Sequence, residues 1–221
     1  MRPFLAQLPQ GSRILDAGCG LGAWTVFFGQ QGFDAVGLDL SAEIIEMLKV
    51  RFPACQFVRG DIRHTGFEAE SFAACFSWGA FEHFESGLGD CLAEVHRLIR
   101  PRGWLFLTVP FHNWRHILRD TRRLERWDED FDPEVGYRQA HRFYQWRLTR
   151  PELQRELELH GFRTELVVPI DKLTGVGRWL QWDFRVFRPG TPAFFAARRA
   201  FAMLMPASYV SHMILAVGQR R

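Results

Sequence analysis

The sequence predicts an α/β protein in which a mainly parallel sheet is covered by helices on both faces. From residue 12 to residue 109, short apolar runs alternate with longer amphipathic segments, as in strands joined by helical crossovers. The chain has 221 residues and is 47% hydrophobic, enough for one large core. It contains no Ser/Gly-rich or Pro/Gln-rich tract of the kind that links separate units. We therefore expect a single domain over residues 1–221.

Each predicted element follows from a local pattern. Ser41 can cap a helix that stops before Pro53, and residues 88–99 form a second apolar stripe with helical spacing. Thr149 to Glu152 fits a capping box, which predicts a helix that ends at Gly161. Seven segments have the apolar character of buried strands: 12–17, 34–39, 55–58, 72–77, 104–109, 163–169 and 211–218.

Two stretches depart from this alternation. Residues 111–147 have few apolar runs, so we expect an irregular insertion on the substrate side. Residues 171–210 include an aromatic and arginine-rich stretch, and we expect them to be partly helical.

Composition narrows the class of protein. A formal charge of +3 is too small to indicate a nucleic-acid partner, and none is expected. The four cysteines form no Cys-x-x-Cys pair, which favours a reducing compartment and a cytoplasmic location. Residues 1–11 lack the apolar segment of a signal peptide, and no stretch approaches the roughly 20 apolar residues of a membrane span.

A glycine-rich turn joins the first predicted strand to a helix. Gly18-x-Gly20-x-x-Ala23 satisfies the dinucleotide-binding pattern, so an NAD-dependent oxidoreductase is one alternative. Asp16, however, lies two residues before the first glycine, where a carboxylate would repel a pyrophosphate. The same carboxylate suits a cationic ligand.

Two further acidic residues follow the next two predicted strands. Asp39 ends the second strand, where a carboxylate can accept hydrogen bonds from both ribose hydroxyls. Asp61 follows the third, where it can accept from an adenine amino group beside a backbone N–H and an apolar side chain. Carboxylates at three successive strand ends predict a cationic, nucleoside-bearing ligand.

Taken together, the motifs resemble those of class I S-adenosylmethionine-dependent methyltransferases, and most nearly the type 11 methyltransferase family. The resemblance is carried by Ile14 to Gly22, Gly37 to Asp39, Gly60 to Ile62, Phe72 to His83 and Glu94 to Pro110. It implies a Rossmann-like, doubly wound sheet of seven strands in the order 3-2-1-4-5-7-6, with strand 7 antiparallel. It also implies S-adenosylmethionine as cofactor and S-adenosylhomocysteine as product.

The resemblance assigns a set of cofactor-binding residues from the turns after the first four strands. These are Asp16, Gly18, Cys19, Gly20, Gly22, Asp39, Leu40, Asp61, Ile62, Ser77 and Trp78. Two departures from the family pattern stand out. The helix before the first strand is almost absent from residues 1–11, which would leave one side of the cofactor less covered, and Arg102 stands where the family often has glycine.

His83 and His112 are the candidate catalytic residues. They follow the fourth and fifth predicted strands, and imidazole is the natural general base near neutral pH. For that reason oxygen is the preferred acceptor atom over nitrogen or carbon. Alternatively, the Glu-His pair only holds the loop over the methionine moiety. Glu82, His83 and His112 could also gather a divalent metal, but Gly79 replaces the first glutamate of the Glu-x-x-Glu-His signature found in small-RNA end-methylating enzymes, so no metal is expected.

The sequence leaves the acceptor open between a small molecule and a lipid-linked intermediate. A basic, aromatic set in the insertion would complement an anionic or aromatic acceptor: Trp114, Arg115, His116, Arg119, Arg122, Arg123 and Arg126. Nearby acidic residues could instead pair with these arginines and leave an ordinary lid: Glu125, Asp128, Glu129, Asp130, Asp132 and Glu134.

Two further alternatives concern partners and activity. Residues 176–205 interleave aromatic residues with arginine, which fits a peripheral membrane contact or a homodimer face as well as core packing. The chain could also be a non-catalytic S-adenosylmethionine-binding module that regulates a partner.

Overall fold

The computed structural model describes residues 2–119, 123–132, 136–184 and 186–221, with backbone alone for residues 2, 123–132 and 136–141. Its strands are β1 (Arg13–Ala17), β2 (Asp34–Asp39), β3 (Gln56–Arg59), β4 (Phe72–Trp78), β5 (Ile99–Pro110), β6 (Arg123–Asp132), β7 (Gly136–Trp146), β8 (Phe162–Ile170) and β9 (Met213–Arg220). Its α-helices are α1 (Arg2–Leu5), α2 (Ala23–Gln30), α3 (Ala42–Arg51), α4 (Gly89–Leu98), α5 (Trp114–Ile117), α6 (Arg150–Leu159), α7 (Lys172–Trp179), α8 (Pro192–Leu204) and α9 (Ala207–Val210). A 3₁₀ turn spans Phe81–His83, and a π-helical turn spans Leu180–Phe184.

A seven-stranded sheet organises the chain in the order β3-β2-β1-β4-β5-β9-β8. Strands β1 to β5 pair in parallel, whereas β9 is antiparallel to both β5 and β8. Counted along the chain within this sheet, the order is 3-2-1-4-5-7-6 with strand 7 antiparallel. The predicted fold class is confirmed.

Local capping sets the helix boundaries that the sequence predicted. The Ser41 hydroxyl accepts a hydrogen bond from the Ile44 amide and begins α3. Thr149 and Glu152 form the reciprocal capping box of α6, and Gly161 adopts a positive φ of 82° just after that helix.

Two hydrophobic clusters cover the two faces of the sheet. Leu15 of β1 points to the face packed by Leu92 of α4 and Leu153 of α6. Its neighbour Ile14 points to the opposite face, where Phe28 of α2 packs. This alternation follows from the period of two along a strand, and it leaves the strand ends as the place where side chains can reach a ligand.

The insertion after β5 is more regular than expected. The prediction of an irregular segment over 111–147 was wrong, because β6 and β7 form an antiparallel two-stranded sheet with pairs from Arg123↔Trp146 to Asp132↔Gly136. β6 is not recognisable from the sequence, because its charged residues interrupt the apolar alternation that marks a half-buried strand. Residue 122 and the side chains of Arg123, Arg126 and the acidic residues from 125 to 134, on which the predicted lid chemistry rests, lie outside the described residues.

Residues 171–212 cross over between β8 and β9 and are partly helical, as predicted. Helices α7 and α8 share a small core of Val176, Leu180, Phe194 and Val210. Ile170 at the end of β8 and Pro110 at the end of β5 both pair with Met213 at the start of β9. The crossover therefore lies at the edge of the sheet where β1 to β5 end. Across the described residues, none of the helices has the length and apolar character needed to traverse a bilayer.

Candidate active site

The turns after β1 and β4 meet at the carboxyl edge of the sheet. Gly18 has a φ of 78°, and a Cβ atom built on it would lie 2.4 Å from the Cβ of Ala80. Only glycine permits this approach, which brings the turn after β1 against the segment that begins the Phe81–His83 turn. The motif from Ile14 to Gly22 and the motif from Phe72 to His83 therefore lie side by side.

Gly20 is the glycine that faces open space. Its φ is 50°, and a Cβ built on it would have no atom of the chain within 4 Å. Gly22, in contrast, is packed, because its Cβ would lie 2.9 Å from Leu48 and 3.0 Å from Phe57. The turn thus offers its backbone to a ligand at Gly20, while Gly18 and Gly22 let it pack on the protein.

Asp39 organises the glycine turn. One carboxylate oxygen accepts a hydrogen bond from the Gly20 amide at 2.9 Å, and the other accepts from the Ser41 amide at 3.0 Å. Each carboxylate oxygen has a further lone pair, so Asp39 retains acceptor capacity for ribose hydroxyls.

Asp16 lies beneath the turn. Its side chain is 2% exposed and accepts a 2.7 Å hydrogen bond from the Thr25 hydroxyl, which joins β1 to α2. Burial raises the pKa of Asp16 to about 6. Asp16 would therefore act on a ligand at the turn without touching it. Its negative charge acts at a distance, and its hydrogen bond to Thr25 fixes the position of α2.

Asp61 is engaged by its neighbour Arg63. The Arg63 guanidinium donates to Asp61 at 2.6 Å, and its backbone amide donates at 2.9 Å. The hydrogen bonds from Arg63 lower the pKa of Asp61. The carboxylate stays ionised at neutral pH. An adenine amino group would donate to a carboxylate that also accepts hydrogen bonds from Arg63.

The remaining predicted cofactor residues divide between core and surface. Cys19 and Ile62 are buried in hydrophobic clusters, whereas Leu40 is 61% exposed beside Asp39 and could cover an adenine ring. Ser77 is fully buried, and its hydroxyl has no hydrogen-bond partner among the described residues. Trp78 packs against Trp24 with ring centroids 5.0 Å apart and ring planes tilted by 33°.

Glu82 is a buried carboxyl at this edge. It is 2% exposed, and its Oε1 would lie 3.3 Å from a Cβ on Gly79. Its Oε2 has no hydrogen-bond partner among the described residues, and burial raises the pKa of the carboxyl to about 8. At neutral pH the group is largely protonated and can donate a hydrogen bond.

His83 is held by the insertion. Its Nδ1 lies 2.8 Å from the carbonyl oxygen of Tyr144 in β7, and its ring meets the Tyr144 ring edge-on at 5.3 Å. A carbonyl oxygen can only accept, so Nδ1 carries the proton and Nε2 presents a lone pair. His83 is exposed and therefore accessible to an acceptor.

His112 lies two residues after β5 but is buried. Its side chain is 4% exposed, and its amide donates to the Leu148 carbonyl at 2.8 Å. The geometry places His83 and His112 after adjacent strands, as predicted, but presents only His83 to the outside. Among the described residues, no group of three or more His, Cys, Asp or Glu side chains is arranged to hold a metal ion, so Glu82, His83 and His112 do not form one.

Arginine and histidine side chains gather beyond the end of β5. Arg115 pairs with Asp183 at 2.5 Å, Arg119 pairs with the same carboxylate, and Arg178 lies 3.4 Å from His212. Burial and the nearby charges of Arg147 and Arg115 lower the pKa of His116 to about 3.

Burial and nearby arginines also lower the pKa values of His212 and Arg147. Burial and the charge of Arg178 lower the pKa of His212 to about 4. Burial and the charges of Arg115 and Arg178 lower the pKa of Arg147 to about 10. We call Arg115, Arg147 and Arg178, together with the neutral imidazoles of His116 and His212 that lie among them, the cationic cluster.

Comparison with known proteins identifies the domain. Residues 14–103 match the family model described as a methyltransferase domain. The segment with this match contains the glycine turn, Asp39, Asp61, Glu82 and His83. The chain carries a class I S-adenosylmethionine-dependent methyltransferase domain.

Named relatives and a solved structure support this assignment. The chain is 34% identical over 102 residues to malonyl-[acyl-carrier protein] O-methyltransferase of Pectobacterium atrosepticum, covering 45% of this chain and 40% of that protein. It is 28% identical over 223 residues to the protein of the same name from Yersinia pestis, covering 98% and 80%. An S-adenosylmethionine-dependent methyltransferase from Mesorhizobium loti shares the fold, with a TM-score of 0.65 and 19% identity over 99% of this chain and 96% of that chain.

The methyltransferase assignment also settles the cofactor, which is S-adenosylmethionine. The residues present fit it. Gly20 leaves space for a ligand at the turn, and the carboxylates of Asp16, Asp39 and Asp61 suit a ligand with sulfonium and ammonium charges and no phosphate. The NAD-dependent alternative is thereby set aside. The contacts of each predicted cofactor residue with S-adenosylmethionine remain predictions.

Proposed function

We propose that this methyltransferase transfers a methyl group to an oxygen atom of a small-molecule or lipid-linked acceptor, with His83 as the general base. When bound, S-adenosylmethionine supplies an electrophilic methyl group on its sulfonium. The observation that carries the proposal is the hydrogen bond from His83 Nδ1 to the Tyr144 carbonyl. It fixes the neutral tautomer whose Nε2 can take a proton from a hydroxyl.

The position of His83 supports this role. Ala80, three residues earlier, lies against Gly18 of the cofactor turn, so the 3₁₀ turn that carries His83 begins beside the cofactor site. His112 is a second candidate base at the next strand end, but its burial favours a role inside the site wall. Glu82, in the same segment as His83, is largely protonated at neutral pH and is a buried hydrogen-bond donor in the wall of the site.

The cationic cluster supports an acceptor that carries negative charge. Arg115 follows the end of β5 and His212 precedes the start of β9, which places both at the edge where the cofactor turn lies. Guanidinium groups bind carboxylate and phosphate with paired hydrogen bonds. The two relatives named above act, by their names, on a malonyl group carried on acyl carrier protein. We therefore infer an anionic acceptor. A carboxylate would itself be the methylated group and would need no base, whereas a hydroxyl on an acceptor whose charge lies elsewhere would give its proton to His83.

The test is transfer of labelled methyl from S-adenosylmethionine to defined acceptors. Malonyl-[acyl-carrier protein], free malonate and an extract of the source organism separated into lipid, small-molecule and macromolecular fractions are supplied in parallel. We expect alkali-labile label, as in a methyl ester, or label in a hydroxyl-bearing lipid or metabolite. Label on nitrogen or carbon would contradict O-methylation. Cofactor binding without transfer to any fraction would favour the non-catalytic module.

A further inference from the structure

The outward side of α8 is apolar. The residues of this helix that are exposed to solvent are Pro192, Ala193, Phe195, Ala196, Arg199, Ala200, Met203 and Leu204. Arg199 is the one charged residue among them. A helix on the surface of a soluble protein normally turns polar residues outward. The outward side of α8 instead has the composition of a surface that another molecule covers.

The inner side of α8 is already used. Phe194 is buried against Val176 and Leu180, and Phe201 packs against Trp179 with ring centroids 5.3 Å apart. Apart from Arg198 and Arg199, the helix is thus apolar on both sides, with one half packed on the domain. Met203 and Leu204 are 85% and 80% exposed on the other half.

Exposed apolar residues continue from α8 into the preceding segment of the crossover. Trp182, Phe184 and Val186 are all more than half exposed. We call these three residues and the outward side of α8 the α8 face. It lies in the crossover at the carboxyl edge of the sheet, the edge that also holds the cofactor turn.

After Asp183, the crossover carries charge of one sign. Residues 184–210 contain four arginines and no aspartate or glutamate. Asp183, the last acidic residue before them, is buried and paired with Arg115 and Arg119. A partner for this face must therefore accept apolar side chains and tolerate, or attract, positive charge.

We propose that the α8 face docks on the surface of a membrane that contains anionic lipids. Such a surface offers an acyl boundary for Met203, Leu204 and Trp182 and headgroup charge for the arginines. A second copy of the chain fits less well, since both sides of a two-fold interface would carry the same positive charge with no acidic side chain to offset it. The proposal goes beyond methyl transfer and does not depend on the identity of the acceptor.

The experiment is co-sedimentation of the full chain with vesicles. One set contains phosphatidylcholine and phosphatidylglycerol in equal parts, and the other contains phosphatidylcholine alone. We expect binding to the anionic vesicles, weakened by added salt, and about tenfold weaker binding for Met203→Glu and for Leu204→Glu. Val50→Glu is the matched control, because Val50 is 84% exposed on α3 and should bind as the parent protein does.

Calorimetric titration with S-adenosylhomocysteine and a thermal melt show that each variant is folded with an intact cofactor site. The proposal is overturned if the parent chain binds neither vesicle set, binds both equally, or loses no more binding in Met203→Glu than in Val50→Glu. Sedimentation velocity supplies the remaining contrary outcome. A dimer that Met203→Glu converts to a monomer would assign the α8 face to a second copy.

Discussion

Replacing Asp39 with alanine should weaken cofactor binding more than any other single change outside the glycine turn. The variant loses the acceptor for the Gly20 and Ser41 amides, at 2.9 and 3.0 Å, and the acceptor proposed for the ribose hydroxyls. A hydrogen bond to a charged group contributes roughly 1.5 to 3 kcal/mol, so losing the net contribution of one such bond corresponds to roughly 10-fold to 150-fold in Kd. Isothermal titration with S-adenosylmethionine measures the change.

The two contributions of Asp39 are separable with a ligand that lacks a hydroxyl. We would compare 5′-methylthioadenosine with its 2′-deoxy form on the parent chain and on Asp39→Ala. If Asp39 binds the ribose, the deoxy form binds more weakly to the parent but not to the variant. Equal losses in both proteins would confine Asp39 to holding the turn. Asp34→Ala, at the exposed start of β2, is the control and should leave the affinity unchanged.

Three further predictions test the turn, the base and the buried acid. Gly20→Val should abolish cofactor binding by filling open space, whereas Gly11→Val, with a φ of 73° and equally open surroundings, should show only the backbone strain in a thermal melt. His83→Ala should retain cofactor affinity and lose about 10² to 10⁴ in turnover, while His160→Ala, whose Nδ1 also bonds to a carbonyl, should keep both. The folded-state pKa of Glu82 is raised from 4.5 to about 8, so denaturant melts should show stability falling as pH rises through that window, and Glu82→Gln should flatten the slope.

Each of these predictions has a contrary outcome. Normal cofactor binding by a folded Gly20→Val protein would place the pocket elsewhere. Parental turnover in His83→Ala would leave alignment alone to carry the reaction, and a loss of affinity without a selective loss of turnover would give His83 a structural role. An unchanged slope in Glu82→Gln would mean that the carboxyl is hydrated in solution.

The sheet could be predicted from sequence because its signals are local. Glycine at 18, 20 and 22 and a carboxylate at 39 each mark a strand end, and parallel strands bring their ends to one edge. The family resemblance assigned Cys19 and Ile62 to the cofactor, but it did not show that their side chains turn into the core. Spacing along the chain locates a residue at an edge, but the direction of its side chain depends on packing from elsewhere.

The pairing of β6 with β7 and the burial of Glu82 could not be predicted from local sequence patterns. Glu82 resembles any loop carboxylate in the sequence, and its raised pKa comes from burial that only the folded chain creates. The tautomer of His83 depends on a carbonyl 61 residues away, in a strand whose pairing the charged sequence of β6 concealed. An insertion at the carboxyl edge can thus orient a histidine that the turn after β4 supplies. Because the hydrogen bond to His83 comes from the Tyr144 backbone and the ring contact from the Tyr144 side chain, side chains elsewhere on β6 and β7 can vary while His83 keeps its orientation.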